Sequence, residues 1–274
     1  MFAQLAEALH ADRPVALVTR LDGARIGAKL LVTDREMLGT LGSAGLDAAA
    51  AAEARALLAL GEHAIRSFGE DGEPVGVGVR VFIAAYAPKP AMYVFGAIDF
   101  SRAVARVGKY LGYMVTVVDA RPVFATKARI PDADAVVVAW PDEWLAHAPV
   151  DDRTALIVLT HDVKFDIPLL RVALGTPAAY IGVMGSRRTH ANRIAALTEA
   201  GVSAAEFHRI SAPIGLDIGA RTPEETAISI AAEIIALRER RAGGRLSEGT
   251  LPVHNARAGA DRDAGVQVAA KLPR

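Results

Sequence analysis

The chain has 274 residues, 52% of them apolar, with 31 Lys+Arg against 31 Asp+Glu and no cysteine. That length predicts one or two domains with a substantial core, and the zero net charge argues against a nucleic-acid partner, whose footprint needs a basic excess. The missing cysteines exclude disulfides, thiolate metal sites and a cysteine nucleophile.

The opening segment, MFAQLAEALHADRP, reads as an amphipathic helix with acids rather than as a signal peptide. The longest apolar runs, such as ALIVL at 155–159, fall far short of the ~20 residues a membrane span needs. No membrane partner and a cytoplasmic location follow as expectations.

Residues 1–87 read as a small α+β domain. PVALVTRL (14–21), AKLLVTD (28–34) and VGVRVFIAAY (77–86) have the β-branched character of strands. LDAAAAAEARALLALG (46–61) reads as a helix, with Asp47 as its N-cap and Gly61 just past its end. Pro88 and Pro90 bracket Lys89 and set a domain boundary there.

From residue 90 to 241 strands and helices alternate. Strands are expected at 91–95, 115–119, 135–139, 154–159 and 178–182, and helices at 101–111, 164–174, 187–200 and 223–241. The strands are continuous apolar runs, as a parallel sheet covered on both faces requires. The fold class is α/β, a Rossmann-like doubly wound parallel sheet after a small N-terminal α+β domain. The last helix starts at a T-P-x-E capping box, Thr222 to Glu225, and repeats Ile228, Ala231 or Ala232, and Ile235 on one face. Residues 242–274 show no sustained period and read as a disordered tail.

YVFGAIDFS (93–101) ends the first of these strands and opens a helix, where a dinucleotide site wants G-x-G-x-x-G. Only Gly96 is kept; Ile98 and Ser101 stand at the other two positions. Asp99 at the helix mouth can cap the free N–H groups and repel a phosphate. Asp119, 23 positions after Gly96, stands where a ribose-binding acid belongs. NAD(P) binding is therefore not expected.

A second glycine-framed turn, YIGVMGSRR, carries Gly182, Gly185, Ser186, Arg187 and Arg188. Ser186 is a natural N-cap. Two arginines in a first helical turn oppose the dipole unless an anion docks there; the alternative is two solvated surface charges. Thr160, His161 and Asp162 follow the fourth strand, at the carboxyl side of the sheet where ligands bind; a loop and cap device is the alternative for the His–Asp pair. In SAPIGLDIGARTPEE (211–225), Asp217 is expected to meet backbone N–H groups or Arg221. His10, His63, His147, His190, His208 and His254 have no metal-ligand spacing.

LIVLTHDVKFDIPLLRVAL, AAYIGVMGSRRTHANRIAAL and APIGLDIGARTPEETAISIAAEIIALR together resemble the C-terminal Rossmann domain of the XdhC/CoxI family. RIGAKLLVTD followed by LGTLGSAGLD resembles that family's N-terminal domain more weakly. The resemblance implies a non-catalytic chaperone that binds the molybdenum cofactor (molybdopterin) transiently, assists its sulfuration and inserts it into a molybdenum hydroxylase apoenzyme such as xanthine dehydrogenase. A separate cysteine desulfurase and a second copy of the chain are further implied partners. The cofactor-binding candidates are Gly96, Asp119, His161, Asp162, Gly182, Gly185, Ser186, Arg187, Arg188, Asp217 and Arg221, with no catalytic residue and no metal ligand. Two features depart from the family pattern. Gly96 to Phe100 replaces G-A-G-H-V, and GSAGLD (42–47) replaces a serine–glycine–glycine–cysteine motif. An NAD(P)-dependent oxidoreductase and a Rossmann interaction module without ligand are the alternatives.

Overall fold

The computed structural model describes residues 1–74, 78–160 and 162–249, so His161 and the stretch 250–274 of the expected tail lie outside the described residues. The described chain divides into two compact units, Met1–Pro88 and Lys89–Gly249.

The first unit opens with α1 (Phe2–His10) and forms an antiparallel sheet. Its strands are β1 (Val15–Arg20), β2 (Lys29–Val32), β3 (Met37–Gly39), β4 (Ala64–Phe68) and β5 (Val79–Tyr86), in the order β3-β2-β1-β5-β4. Helix α2 (Ala44–Leu60) packs Leu46, Ala50, Ala54 and Leu57 against Ala16, Val18, Leu30, Val81 and Ile83. Ser43, not Asp47, caps this helix: its hydroxyl accepts the Leu46 N–H at 3.2 Å. Asp47 is buried and accepts the Leu41 N–H at 2.6 Å, which fastens the preceding loop to the helix. Gly61 ends α2 at φ 68°, the left-handed position that favours glycine.

The second unit runs β6 (Ala91–Phe95), α3 (Asp99–Tyr110), β7 (Met114–Asp119), β8 (Ala135–Val138), α4 (Pro141–Leu145), β9 (Ala155–Val158), α5 (Val163–Leu174), β10 (Tyr180–Val183), α6 (Arg187–Glu199), β11 (Ile210–Ser211) and α7 (Pro223–Arg238). Its six strands are parallel, in the order β11-β10-β9-β6-β7-β8. This is the strand order of a dinucleotide-binding Rossmann sheet, and the doubly wound sheet read from the sequence is present.

The continuous apolar runs have a direct explanation in the two helical layers. On β9, Leu156 and Val158 face Leu169, Leu170 and Ala173 of α5 and Leu197 of α6. Ile157 and Leu159 face the other way, toward Val104 of α3 and Ile230 and Ile234 of α7. Burying each such Leu or Ile contributes about 1.5–3 kcal/mol. Thr222 caps α7, accepting the Glu225 N–H at 3.2 Å, and Glu225 in return takes the N–H groups of Arg221 and Thr222 at 2.7 and 3.0 Å. The inward face of α7 is Ala227, Ile230, Ala231 and Ile234; Ile228 and Ile235 are exposed. Of the positions read as one face, Ala231 points inward, while Ile228 and Ile235 stand one residue past the buried Ala227 and Ile234.

The sheet places a switch point at β6. The chain leaves it outward through β7 and β8, then returns to start β9 on its other side. Ligands of open α/β sheets bind at the carboxyl ends of strands at such a point.

Candidate cofactor site

The β6–α3 turn is closed by its own side chains. Gly96 has φ 102°, and a Cβ there would come within 2.9 Å of Thr160 Cγ2, so only glycine lets the ends of β6 and β9 meet. The Ala97 N–H donates to Asp119 Oδ2 at 2.7 Å, and the Ile98 N–H donates to Ser101 Oγ at 3.2 Å. Ser101, fully buried, donates its own hydroxyl proton to the Gly96 carbonyl. Two of the donors that could grip a pyrophosphate, the Ala97 and Ile98 N–H groups, are thus committed. Asp99 is not their cap: it is 88% exposed and faces Arg129 at 3.7 Å.

Asp119 is saturated rather than free for a ribose. Besides Ala97, it accepts from the Arg121 N–H and Nε (both 2.9 Å) and from Arg121 Nη2 (2.8 Å), filling the roughly four acceptor positions of a carboxylate. Burial pushes this carboxyl up, but the Arg121 guanidinium and the two backbone N–H groups outweigh it and hold it below the ordinary carboxylate value. Asp119 therefore braces the turn in place of the ribose role read from its spacing. Arg121 also stacks over Phe124, 4.5 Å from the ring centre.

After β9, Asp162 caps α5 by accepting the Lys164 N–H at 3.0 Å, and it is exposed to solvent. The buried chemistry lies one turn further on. Thr160 donates its hydroxyl proton to Asp166 Oδ1. Asp166 Oδ2 accepts from Arg193 Nε at 3.1 Å and Nη2 at 2.6 Å, and Nη2 also reaches the Met184 carbonyl at 3.3 Å. This network joins β9, α5, α6 and the end of β10. Sequence reading missed Asp166 and Arg193. The available signal was a carboxylate and a guanidinium standing on the apolar faces of consecutive helices, Arg193 four residues before the buried Leu197.

The β10–α6 turn is built differently from the first. A Cβ on Gly182 would lie 2.5 Å from Ile214 Cδ1 and from the Tyr180 ring, so glycine is needed for close approach. Gly185 has φ 145°. Ser186 caps α6, accepting the Thr189 N–H at 3.1 Å, and its carbonyl takes the His190 N–H at 2.9 Å. Arg187 and Arg188 are exposed. Beneath the turn, Arg193 Nη1 and His190 Nδ1 are buried with no hydrogen-bond partner among the described residues. Burial, then the Arg193 cation, pull the His190 imidazole below its ordinary value, so it is neutral at neutral pH.

The 211–222 loop is anchored by residues other than those expected. Glu233 accepts from the Tyr180 hydroxyl and from the Gly215 N–H (2.9 Å), and Ser229 donates to the Leu216 carbonyl at 2.6 Å. Burial, followed by the Glu233 carboxylate, raises the Tyr180 hydroxyl well above its ordinary value, so it remains a donor. Asp217 and Arg221 are exposed, and among the described residues no ion pair joins them. The Ile214 N–H donates to the Val183 carbonyl at 3.1 Å and seats the loop beside the end of β10.

A separate groove of about 590 Å³ lies between α3, residues 128–130 and α7. Two of its rim cations are paired, Arg129 with Asp99 and Arg106 with Asp132, and Arg102 lines it as well; it holds none of the candidates read from the sequence. Among the described residues no cluster of three or more His, Asp or Glu could hold a metal ion, and no helix is long and apolar enough to cross a membrane.

Residues 92–234, more than half of the chain, match the XdhC Rossmann domain, and residues 8–69 match the XdhC and CoxI family. The chain belongs to the XdhC/CoxI family. It is 34% identical over 161 residues to a Bacillus subtilis (strain 168) protein named as a probable xanthine dehydrogenase subunit, covering 59% of this chain and 47% of that protein. It is 39% identical over 93 residues to the molybdenum cofactor insertion chaperone PaoD of Escherichia coli (strain K12), covering 34% and 29%. An uncharacterized Escherichia coli (strain K12) protein, YqeB, is 28% identical over 266 residues, 92% of this chain and 49% of the other. The chain thus spans about half or less of the length of these curated relatives. A crystal structure titled as a xanthine dehydrogenase from Bacillus halodurans shares the fold at 20% identity, with a TM-score of 0.53 over 90% of this chain and 97% of that one.

Proposed function

We propose that this XdhC-family chain is an accessory protein of molybdenum hydroxylase maturation, which binds the molybdenum cofactor and hands it to an apoenzyme such as xanthine dehydrogenase. The name of the PaoD relative supports the cofactor and its insertion, and the name of the Bacillus relative supports the client. The observation that carries the reading is the contrast between the two glycine turns. In the β6–α3 turn the Ala97 and Ile98 N–H groups are tied to Asp119 and Ser101. The β10–α6 turn presents a helix mouth, two exposed arginines and an unpartnered buried guanidinium nitrogen. The residues fit a group that carries phosphate.

Gly185, Ser186, Arg187 and Arg188 would frame the phosphate end of the cofactor in this reading. The cofactor supplies the redox metal, and the protein supplies positioning and reversible release. Sulfuration by a separate cysteine desulfurase, which the family resemblance implies, is compatible with a chain that has no cysteine. The same closed β6–α3 turn counts against an NAD(P)-dependent oxidoreductase. Purification from a host that makes molybdopterin, followed by metal and pterin analysis, tests the proposal: retained molybdenum and pterin support it, and protein free of both refutes it.

A further inference from the structure

We infer that Arg193, rather than the exposed Arg187 and Arg188, is the principal anion-recognising group of the β10–α6 turn, and that its ligand is the phosphate of an organic monoester. This rests on the reading that the turn takes a phosphate-bearing cofactor, and it names the residue that does so.

The geometry begins with the direction of the side chain. Side chains on a helix lean toward its N-terminus, so Arg193 reaches back beneath the first turn of α6. There a Cβ on Gly185 would lie 3.7 Å from Nη1. Its fork is fixed from behind by Asp166, which is itself held by Thr160. Nε and Nη2 are committed to that carboxylate and to the Met184 carbonyl, while Nη1 has no partner among the described residues. A guanidinium that is 3% exposed and held rigidly on one side is preorganised to donate on the other. His190, three residues earlier on the same helix, has a second unpartnered buried nitrogen. The first two N–H groups of α6, of Arg187 and Arg188, have no acceptor within the helix. The Arg193 guanidinium and these helix N–H groups suit the several oxygens of one phosphate. Arg187 and Arg188, exposed to water, add only screened attraction.

The test uses full-length protein and methyl phosphate, with inorganic phosphate and ionic-strength-matched chloride as comparisons, read by titration calorimetry. Asp166→Asn with Arg193→Met removes both buried charges together, which the fold tolerates better than losing one. It should weaken methyl phosphate binding by roughly 10- to 150-fold. Arg193→Lys keeps the charge but cannot hold Asp166 and reach the turn at once, and should lose at least ~10-fold for the same reason. Arg187→Ala with Arg188→Ala should lose less than either. Unchanged affinity in both Arg193 variants would overturn the inference and leave a water as the partner of Nη1. Inorganic phosphate binding more tightly than the ester would overturn the assignment to an organic monoester. Absence of molybdopterin from protein that binds methyl phosphate through Arg193 would count against the proposed cofactor alone.

Discussion

The guanidinium of Arg193 lies 2.6 Å from the Asp166 carboxylate, with the two side chains 3% and 1% exposed. A pair so enclosed contributes little net stability over an apolar pair of similar volume, but breaking it leaves a buried charge alone. Arg193→Met should therefore destabilise the protein by about 3–5 kcal/mol, and adding Asp166→Asn should restore much of that loss. Urea midpoints of the single and double variants give the comparison. Equal losses in both would mean that packing of the arginine stem, not charge pairing, holds α5 to α6.

The closed β6–α3 turn predicts that NAD and NADP bind weakly or not at all. Ile98→Gly alone should not restore binding, because the Ser101 hydroxyl still accepts the N–H at that position. Calorimetric titration is the measurement, and a micromolar dissociation constant for either nucleotide in the unaltered protein would contradict the reading.

Asp119 gives a pH dependence with a defined sign. Its folded carboxyl titrates below the unfolded value. Its stabilising effect is therefore fully present above the ordinary carboxylate pKa and is lost as pH falls through the lowered folded value. Asp119→Asn should be less stable than the unaltered protein at neutral and mildly acidic pH, with the gap closing at the acid end. Urea midpoints across an acid series read this. A gap that widened on acidification would show that the carboxylate is not the stabilising form.

Arg187 and Arg188 sit at the positive end of the α6 dipole. Replacing either with alanine should raise the stability of the ligand-free protein by about 0.3–1 kcal/mol at low salt. Loss of stability in thermal melts would mean that these arginines hold the turn together rather than await an anion.

Much of the sheet was legible in the sequence because both of its faces are covered. Runs such as ALIV in β9 and AMYVF in β6 carry the signal by themselves. The missed elements lacked that signal. β11 has two residues, β3 has three, and β4 (AIRSF) is interrupted by Arg66 and Ser67. Both glycine turns were visible, since glycine at a strand end is a local feature. Which side chain closes the first one was not. Asp99 and Ser101 are both competent to cap, and only the backbone path decides that Ser101 turns inward while Asp99 faces Arg129. Arg193 was hidden for a different reason. A lone arginine in a helix reads as solvated until its partner, 27 residues away on α5, is brought against it by the fold.

Whether the chain carries molybdenum cofactor is read most directly from the content of protein purified from a host with an intact molybdopterin pathway. Molybdenum by mass spectrometry and pterin by fluorescence after oxidation should both be present, in comparable amounts, and both should fall in the Asp166→Asn, Arg193→Met variant. Protein that contains neither, while its fold and melting temperature are normal, would contradict the account.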